Sequence, residues 1–342
     1  MPWIFSFHFT PQPGNTMHML PLSILDLAPV SENSTPALAL QNARDLAQHA
    51  ERLGYKRYWV AEHHNMVGIA SAATSVVIGY IAANTSTIRV GAGGIMLPNH
   101  SPLVIAEQFG TLESLYPNRI DLGLGRAPGT DRQTMQALRV DPKASERFPQ
   151  DVLELQSLLG PLQPGQTIQA VPGTGTNLPL WILGSSLFGA QLAAILGLPY
   201  AFASHFAPDQ LMQAIEIYRA TFKPSAQLQM PYVMAGVNVI AADTEPEAQH
   251  LFTSLQMRFA DMARGTRGYM QPPIADIENY WSGQEKIQAQ RMLACSFVGS
   301  PKSLRVHLND FMEKTGVDEL MVATAVYDQG SRLKSYELLA GV

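Results

Sequence analysis

Glu62, His63 and His64 stand side by side, and each can do chemistry. A carboxylate next to two imidazoles could move protons near neutral pH, where histidine titrates at about 6.5, or it could ligate a divalent metal. The trio ends a short β-prone run, Arg57 to Ala61, of aromatic and β-branched residues. A strand that ends in reactive side chains fits the rim of a parallel α/β barrel, where strand carboxyl ends face the ligand. One histidine alone would read as a hydrogen-bonding strand cap, whereas three consecutive groups point to a site. Adjacent His63 and His64 project to opposite sides of a strand, which makes a hydrolase metal centre shared by both the weaker alternative.

Other groups fall at corresponding places. Gly93 and Gly94 lie inside a strand pattern, where glycine marks a bulge, a crowded core or the close approach of a ligand. Crowding serves Gly91 equally well, while a consecutive pair favours ligand approach. Gly184-Ser185-Ser186 leads directly into a helix, whose unpaired N–H groups and positive dipole end suit a phosphate. An ordinary serine cap competes with that reading, and Arg126, at the end of the preceding strand, supports it as a fixed cation. Ser204-His205 closes a further strand.

Positioning these groups takes an alternation of strands and helices. Strands are expected at Leu22 to Ala28, Arg57 to Ala61, Ile88 to Leu97, Arg119 to Arg126, Leu178 to Leu183, Tyr200 to Ser204, Val233 to Ala242 and Glu319 to Thr324. Helices separate them. One opens at Thr35-Pro36 and stops at Gly54, and another starts at Glu245 with a capping box of Thr244 and Glu247. From Gly265 to Ser296 the alternation lapses into an irregular and helical insertion, read as a lid over the mouth or a packing segment. About eight strands give a (β/α)8 TIM barrel spanning 19–342, preceded by a loosely ordered leader over 1–18. A doubly wound sheet is disfavoured because Pro29-Val30-Ser31 is no phosphate-binding glycine loop.

Composition narrows the function. Hydrophobic residues are 46% and charged residues 15%, which suits a large core with both sheet faces covered. The net charge of -5, with scattered Lys and Arg, argues against nucleic acid as a partner. The single cysteine, Cys295, excludes an internal disulfide, and no stretch approaches the ~20 apolar residues of a membrane span. No signal peptide is evident at the amino terminus, so a cytoplasmic location is expected.

The chain resembles the bacterial luciferase-like flavin monooxygenases from Leu22 to Ala340. The motifs that carry this are Tyr58-Trp59-Val60-Ala61-Glu62-His63-His64, Val90 to Leu97, Arg119 to Arg126 and Val298-Gly299-Ser300-Pro301. The resemblance implies a barrel that binds FMN, as reduced FMN, at the strand ends and oxygenates a small organic substrate through a flavin peroxide. Oxygen is the co-substrate and a separate NAD(P)H:flavin reductase the partner. It makes His63 the catalytic histidine with Glu62 orienting it or satisfying barrel hydrogen bonds, and puts a non-proline cis peptide at Gly93-Gly94. It makes Ala28, His63, Gly93, Gly94, Arg126, Gly184, Ser185, Ser186 and Ser204 cofactor-binding, with no metal, in a homodimer. Gly125 stands where luciferase has a reactive cysteine, and Gly184-Ser185 where it has Glu-Ser, which favours the broader monooxygenase group over a light emitter. A deazaflavin (F420)-dependent oxidoreductase and a non-catalytic flavin-binding protein are the alternatives.

Overall fold

Short, nearly continuous apolar runs become parallel strands, and the amphipathic stretches between them become the covering helices. The computed structural model describes residues 20–127 and 130–342. The expected leader over 1–18 therefore lies outside the described residues.

The first half runs β1 (Leu22–Asp26), α1 (Pro36–Arg52), β2 (Arg57–Val60), α2 (Thr74–Ala83), β3 (Arg89–Met96), α3 (Pro102–Leu115) and β4 (Ile120–Gly125). After β4 come a short α4 (Arg132–Ala137), which the sequence reading had not anticipated, and α5 (Phe148–Leu159). The second half continues with β5 (Leu180–Gly184), α6 (Leu187–Leu196), β6 (Tyr200–Phe202), α7 (Leu211–Thr221), β7 (Val233–Ala241) and α8 (Glu245–Ala263). It ends with α9 (Gly283–Met292), β8 (Ser296–Gly299), α10 (Pro301–Thr315), β9 (Glu319–Ala323) and α11 (Gln329–Ala340).

The strands are ordered β6-β5-β4-β3-β2-β1-β9-β7, and pairing of β6 with β7 closes a parallel eight-stranded barrel. The ninth strand, β8, pairs only with the carboxyl half of β7, from Asn238 to Ala241. It starts at Ser296, where the insertion read from the sequence ends, and no strand is expected there. All four residues of β2, all six of β4 and all nine of β7 are buried, as expected for strands covered on both faces.

Side chains alternate along each strand. Ile24, Tyr58, Val60, Tyr200 and Phe202 join the large core under the helices, while Leu25, Trp59, Ala61, Trp181 and Ala201 form a separate apolar cluster. We take the second cluster as the barrel interior. Its floor is ionic. At the amino ends of the strands Arg57 donates to Glu319 at 2.7 Å and to Asp121 at 2.9 Å, and Arg89 donates to Asp121 at 2.6 Å. Ser23, Tyr232 and Lys56 complete the surroundings of Glu319. Burial works against the charge of Arg57, but the two carboxylates outweigh it and raise its pKa.

Local signals behave unevenly. Thr35 caps α1 by accepting from the Leu38 N–H at 3.2 Å, and Gly197 ends α6 with φ 63°, a left-handed value that glycine adopts without strain. The expected capping box on α8 is only half present. Thr244 accepts from the Glu247 N–H at 3.4 Å, whereas the reciprocal box forms on α9, between Ser282 and Glu285.

Candidate active site at the barrel's carboxyl rim

Alternation along β2 sets the roles of the three residues beyond it. Arg57, Trp59 and Ala61 face the interior, so His63 continues the inward row and Glu62 and His64 the outward one. Glu62 is fully buried, and its carboxylate accepts from His64 Nε2 at 2.7 Å, Asn99 Nδ2 at 3.0 Å, the Met96 N–H at 3.0 Å and His100 Nε2 at 2.9 Å. Burial would raise its pKa, but the bonds from His100, Asn99 and His64 outweigh that and hold the carboxyl below its ordinary range. Glu62 ties the end of β2 to the turn after β3, and Asn99 and His100 are the partners that sequence reasoning missed.

His63 remains partly accessible. Its electrostatic neighbour is His205, which follows β6. Burial, with the His63 imidazole adding to it, pushes the His205 pKa down to about 4. His205 Nδ1 is buried without a hydrogen-bond partner and packs against Gly236, where a Cβ would collide with it. The His205 carbonyl is fixed by Asn238 Nδ2 at 2.7 Å. Two imidazoles thus share the mouth, one of them held neutral.

The Gly93–Gly94 peptide is cis. A Cβ on Gly94 would lie 2.7 Å from the Gly123 carbonyl oxygen and would run into Leu183, and a Cβ on Gly93 would lie 3.0 Å from Trp59 and Leu25. Crowding by the protein itself bars a side chain at Gly94, as it does at Gly91, whose Cβ would meet the Asp121 carbonyl at 2.5 Å, whereas Gly93 is only tightly packed.

Arg126, just beyond β4, is exposed and lies over the Phe188 ring at 4.1 Å. Phe188 belongs to the first turn of α6, so the cation is held beside that helix start. Ser186, the N-cap of α6, makes no side-chain capping bond, and Ser185 is exposed. The hydroxyl of Ser186 and the first N–H groups of α6 are thus available next to a guanidinium, a donor set that fits a phosphate. Ala28 and Ser204 differ in character. Ala28 is fully buried at φ 46°, with its N–H donating to Asp26 Oδ1 at 2.9 Å, and Asp26 is braced by Arg332 at 2.8 Å. Ser204 is fully buried and donates its hydroxyl to the Gly236 carbonyl at 2.6 Å.

Segment 265–272 leaves α8 and spans this rim. Met270 exchanges backbone bonds with Val30 at 3.0 Å and Glu32 at 2.8 Å in the loop after β1, Gly268 abuts Gly68 in the loop after β2, and Arg267 lies 3.7 Å from Asp131 after β4. Asp261, near the end of α8, accepts from Gln271 and Tyr280, both at 2.8 Å. Among the described residues no group of three or more His, Cys, Asp or Glu has metal-binding geometry.

A closed parallel barrel with titratable and phosphate-compatible groups gathered at its carboxyl rim defines an enzyme of the TIM-barrel type. The chain belongs to the luciferase-like monooxygenases, whose family model matches residues 20–319. It is 54% identical over 321 residues to a luciferase-like monooxygenase of Escherichia coli strain K12, covering 94% of this chain and 96% of that protein. It is 31% identical to the N-acetyl-S-alkylcysteine monooxygenase of Bacillus subtilis strain 168, covering 94% and 98%. The crystal structure of apo-MsnO8 superposes with a TM-score of 0.88 at 38% identity, covering 94% of this chain and 98% of that one. The protein is thus an oxidoreductase that incorporates molecular oxygen. No helix among the described residues is long and apolar enough to cross a membrane.

Proposed function

We propose that this chain is the oxygenating component of a two-component flavin monooxygenase, taking reduced FMN from a separate NAD(P)H:flavin reductase and oxygenating a small organic substrate. The same reading makes it a cytoplasmic homodimer. The observation that carries it is the phosphate-compatible set at the start of α6, where Arg126 is stacked on Phe188 beside the uncommitted Ser186 hydroxyl. Arg126, Ser185, Ser186 and the first N–H groups of α6 would hold the FMN phosphate. Gly184 lets β5 end close against Tyr200, whose hydroxyl would lie 3.1 Å from an added Cβ.

Reduced FMN, when bound, supplies the electrons that activate oxygen. The chain's own residues do the rest. His63 projects inward and holds or moves a proton at the reacting end of the substrate. His205, kept neutral beside it, keeps a second positive charge out of the mouth. Glu62 fixes the turn after β3 through Met96, Asn99 and His100. Segment 265–272 acts as the lid of a single barrel domain and limits the entry of water.

An anaerobic titration with FMN and with reduced FMN, followed by admission of oxygen, tests this reading. Preferential binding of the reduced form and oxygen consumption dependent on an added reductase are expected. Failure to bind either form would overturn the flavin assignment.

A further inference from the structure

Arg258 lies on α8, one turn before the Asp261 that anchors the lid. It has no hydrogen-bond acceptor, ion-pair partner or aromatic ring against it among the described residues. Burial lowers its pKa, with no carboxylate to restore it, yet the side chain is still partly solvent-accessible. A cation in that setting is costly to the folded chain unless an anion meets it.

A second observation falls on the same helix face. Ser254, four residues earlier, is 1% exposed, and its Oγ is buried with no partner. Residues four apart are neighbours on a helix, so the hydroxyl and the guanidinium lie one above the other. Together they offer only positive charge and hydrogen-bond donors. A Ser buried without a bond and an Arg buried without a counter-charge are each uncommon, and their conjunction calls for one ligand that answers both.

We propose that Arg258 and Ser254 bind an oxyanion, and that this oxyanion is a carboxylate carried by the organic substrate. The guanidinium fork matches a planar carboxylate through two parallel bonds, with the hydroxyl as a third donor. A single cation balances a monoanion. The dianionic phosphate of a flavin is already suited by the separate set at Arg126 and the start of α6. That the carboxylate belongs to the oxygenated molecule rests on the monooxygenase reading above, while the anion site itself does not. Its position one turn before the lid's anchor means that the substrate's charged end would be gripped where the lid leaves α8, away from His63.

The test measures binding without turnover. Calorimetry on the full chain compares butyrate with butyramide and octanoate with octanamide, for the wild type, Arg258→Met, Arg258→Lys and Ser254→Ala. In the wild type at least one acid should bind about tenfold or more tighter than its amide. Arg258→Met should abolish that preference, Arg258→Lys should keep part of it, and Ser254→Ala should weaken it. Equal binding of acid and amide in both pairs, binding of neither acid, or a preference that survives Arg258→Met would overturn the proposal. FMN and riboflavin titrations run in parallel. Loss of FMN but not riboflavin affinity in Arg258→Met would assign the guanidinium to the cofactor phosphate and also overturn it. Absence of flavin binding beside an intact acid preference would instead overturn the flavin assignment and leave the anion site standing. Arg258→Met should melt no lower than the wild type, and a clear drop would show that the charge is already compensated by the fold.

Discussion

The two ends of the barrel treat charge in opposite ways. At the amino end Arg57, Arg89, Asp121 and Glu319 are matched, with Ser23, Lys56, Trp59 and Tyr232 supplying further bonds. At the carboxyl end, among the described residues, Arg126 meets the face of Phe188 and one nitrogen of His205 is unsatisfied, and on α8 beside the segment that spans this rim Arg258 has no partner. Both ends draw on the same residue types, so composition does not separate them. What separates them is completion. Where charge holds strands together the fold closes the network, and where a ligand must enter it leaves donors open at a cost to its own stability.

This contrast can be broken by experiment. Arg57→Met would remove the cation that two buried carboxylates share, leaving Asp121 to Arg89 and Glu319 to Lys56, and should destabilise the fold by about 3 kcal/mol in urea denaturation. An equal loss in Arg258→Met would erase the distinction between the ends. His63→Ala should lower oxygenation by roughly 10²-fold at saturating reduced FMN while leaving the urea midpoint in place. An unchanged rate would remove His63 from the chemistry.

The neutral His205 makes a prediction about pH. Its folded pKa of about 4 lies below the ordinary 6.5, so the unfolded chain binds the extra proton between those values. Its contribution is fully present above pH 6.5 and is lost as the pH falls toward 4. The loss should be about 1–2 kcal/mol, allowing for partial solvent access, and His205→Gln should flatten that part of the stability curve. An unaltered slope would mean that the rim imposes no such penalty. The smallest effect is expected from Arg126→Ala, about tenfold weaker FMN binding with riboflavin unaffected. Equal weakening of both would deny Arg126 a phosphate role.

Much of this was legible in the chain. Parallel strands buried on both faces leave continuous apolar runs, and the eight barrel strands could be placed to within a few residues for that reason. Glu62-His63-His64 stood out because three titratable side chains break such a run abruptly. The third, extra-barrel strand pairing of β7 was not legible, because Ser296-Phe297-Val298-Gly299 is too short to show a period. Asn99 and His100 look like ordinary turn residues until the fold carries Glu62 over them. Arg258 was hidden for a different reason. A lone Arg within an amphipathic helix reads as a solvated residue, and only the packing of α8 leaves it a charge with no partner among the described residues. The glycines stood out in the sequence, and the structure adds a packing reason for Gly94, where Leu183 and Gly123 leave no room for a Cβ.

The ionic floor also bears on how the polypeptide emerges from the ribosome. Arg57 and Glu319 are 262 positions apart, and Ser23 and Glu319 are 296 apart. Until the last strand is synthesised, Arg57 lacks the carboxylate that balances it, and the barrel has no closing seam between β1 and β7. Nascent chains ending before Glu319 must therefore wait in partly open forms, with exposed strand edges that invite mispairing. Native closure is a late, chain-spanning event.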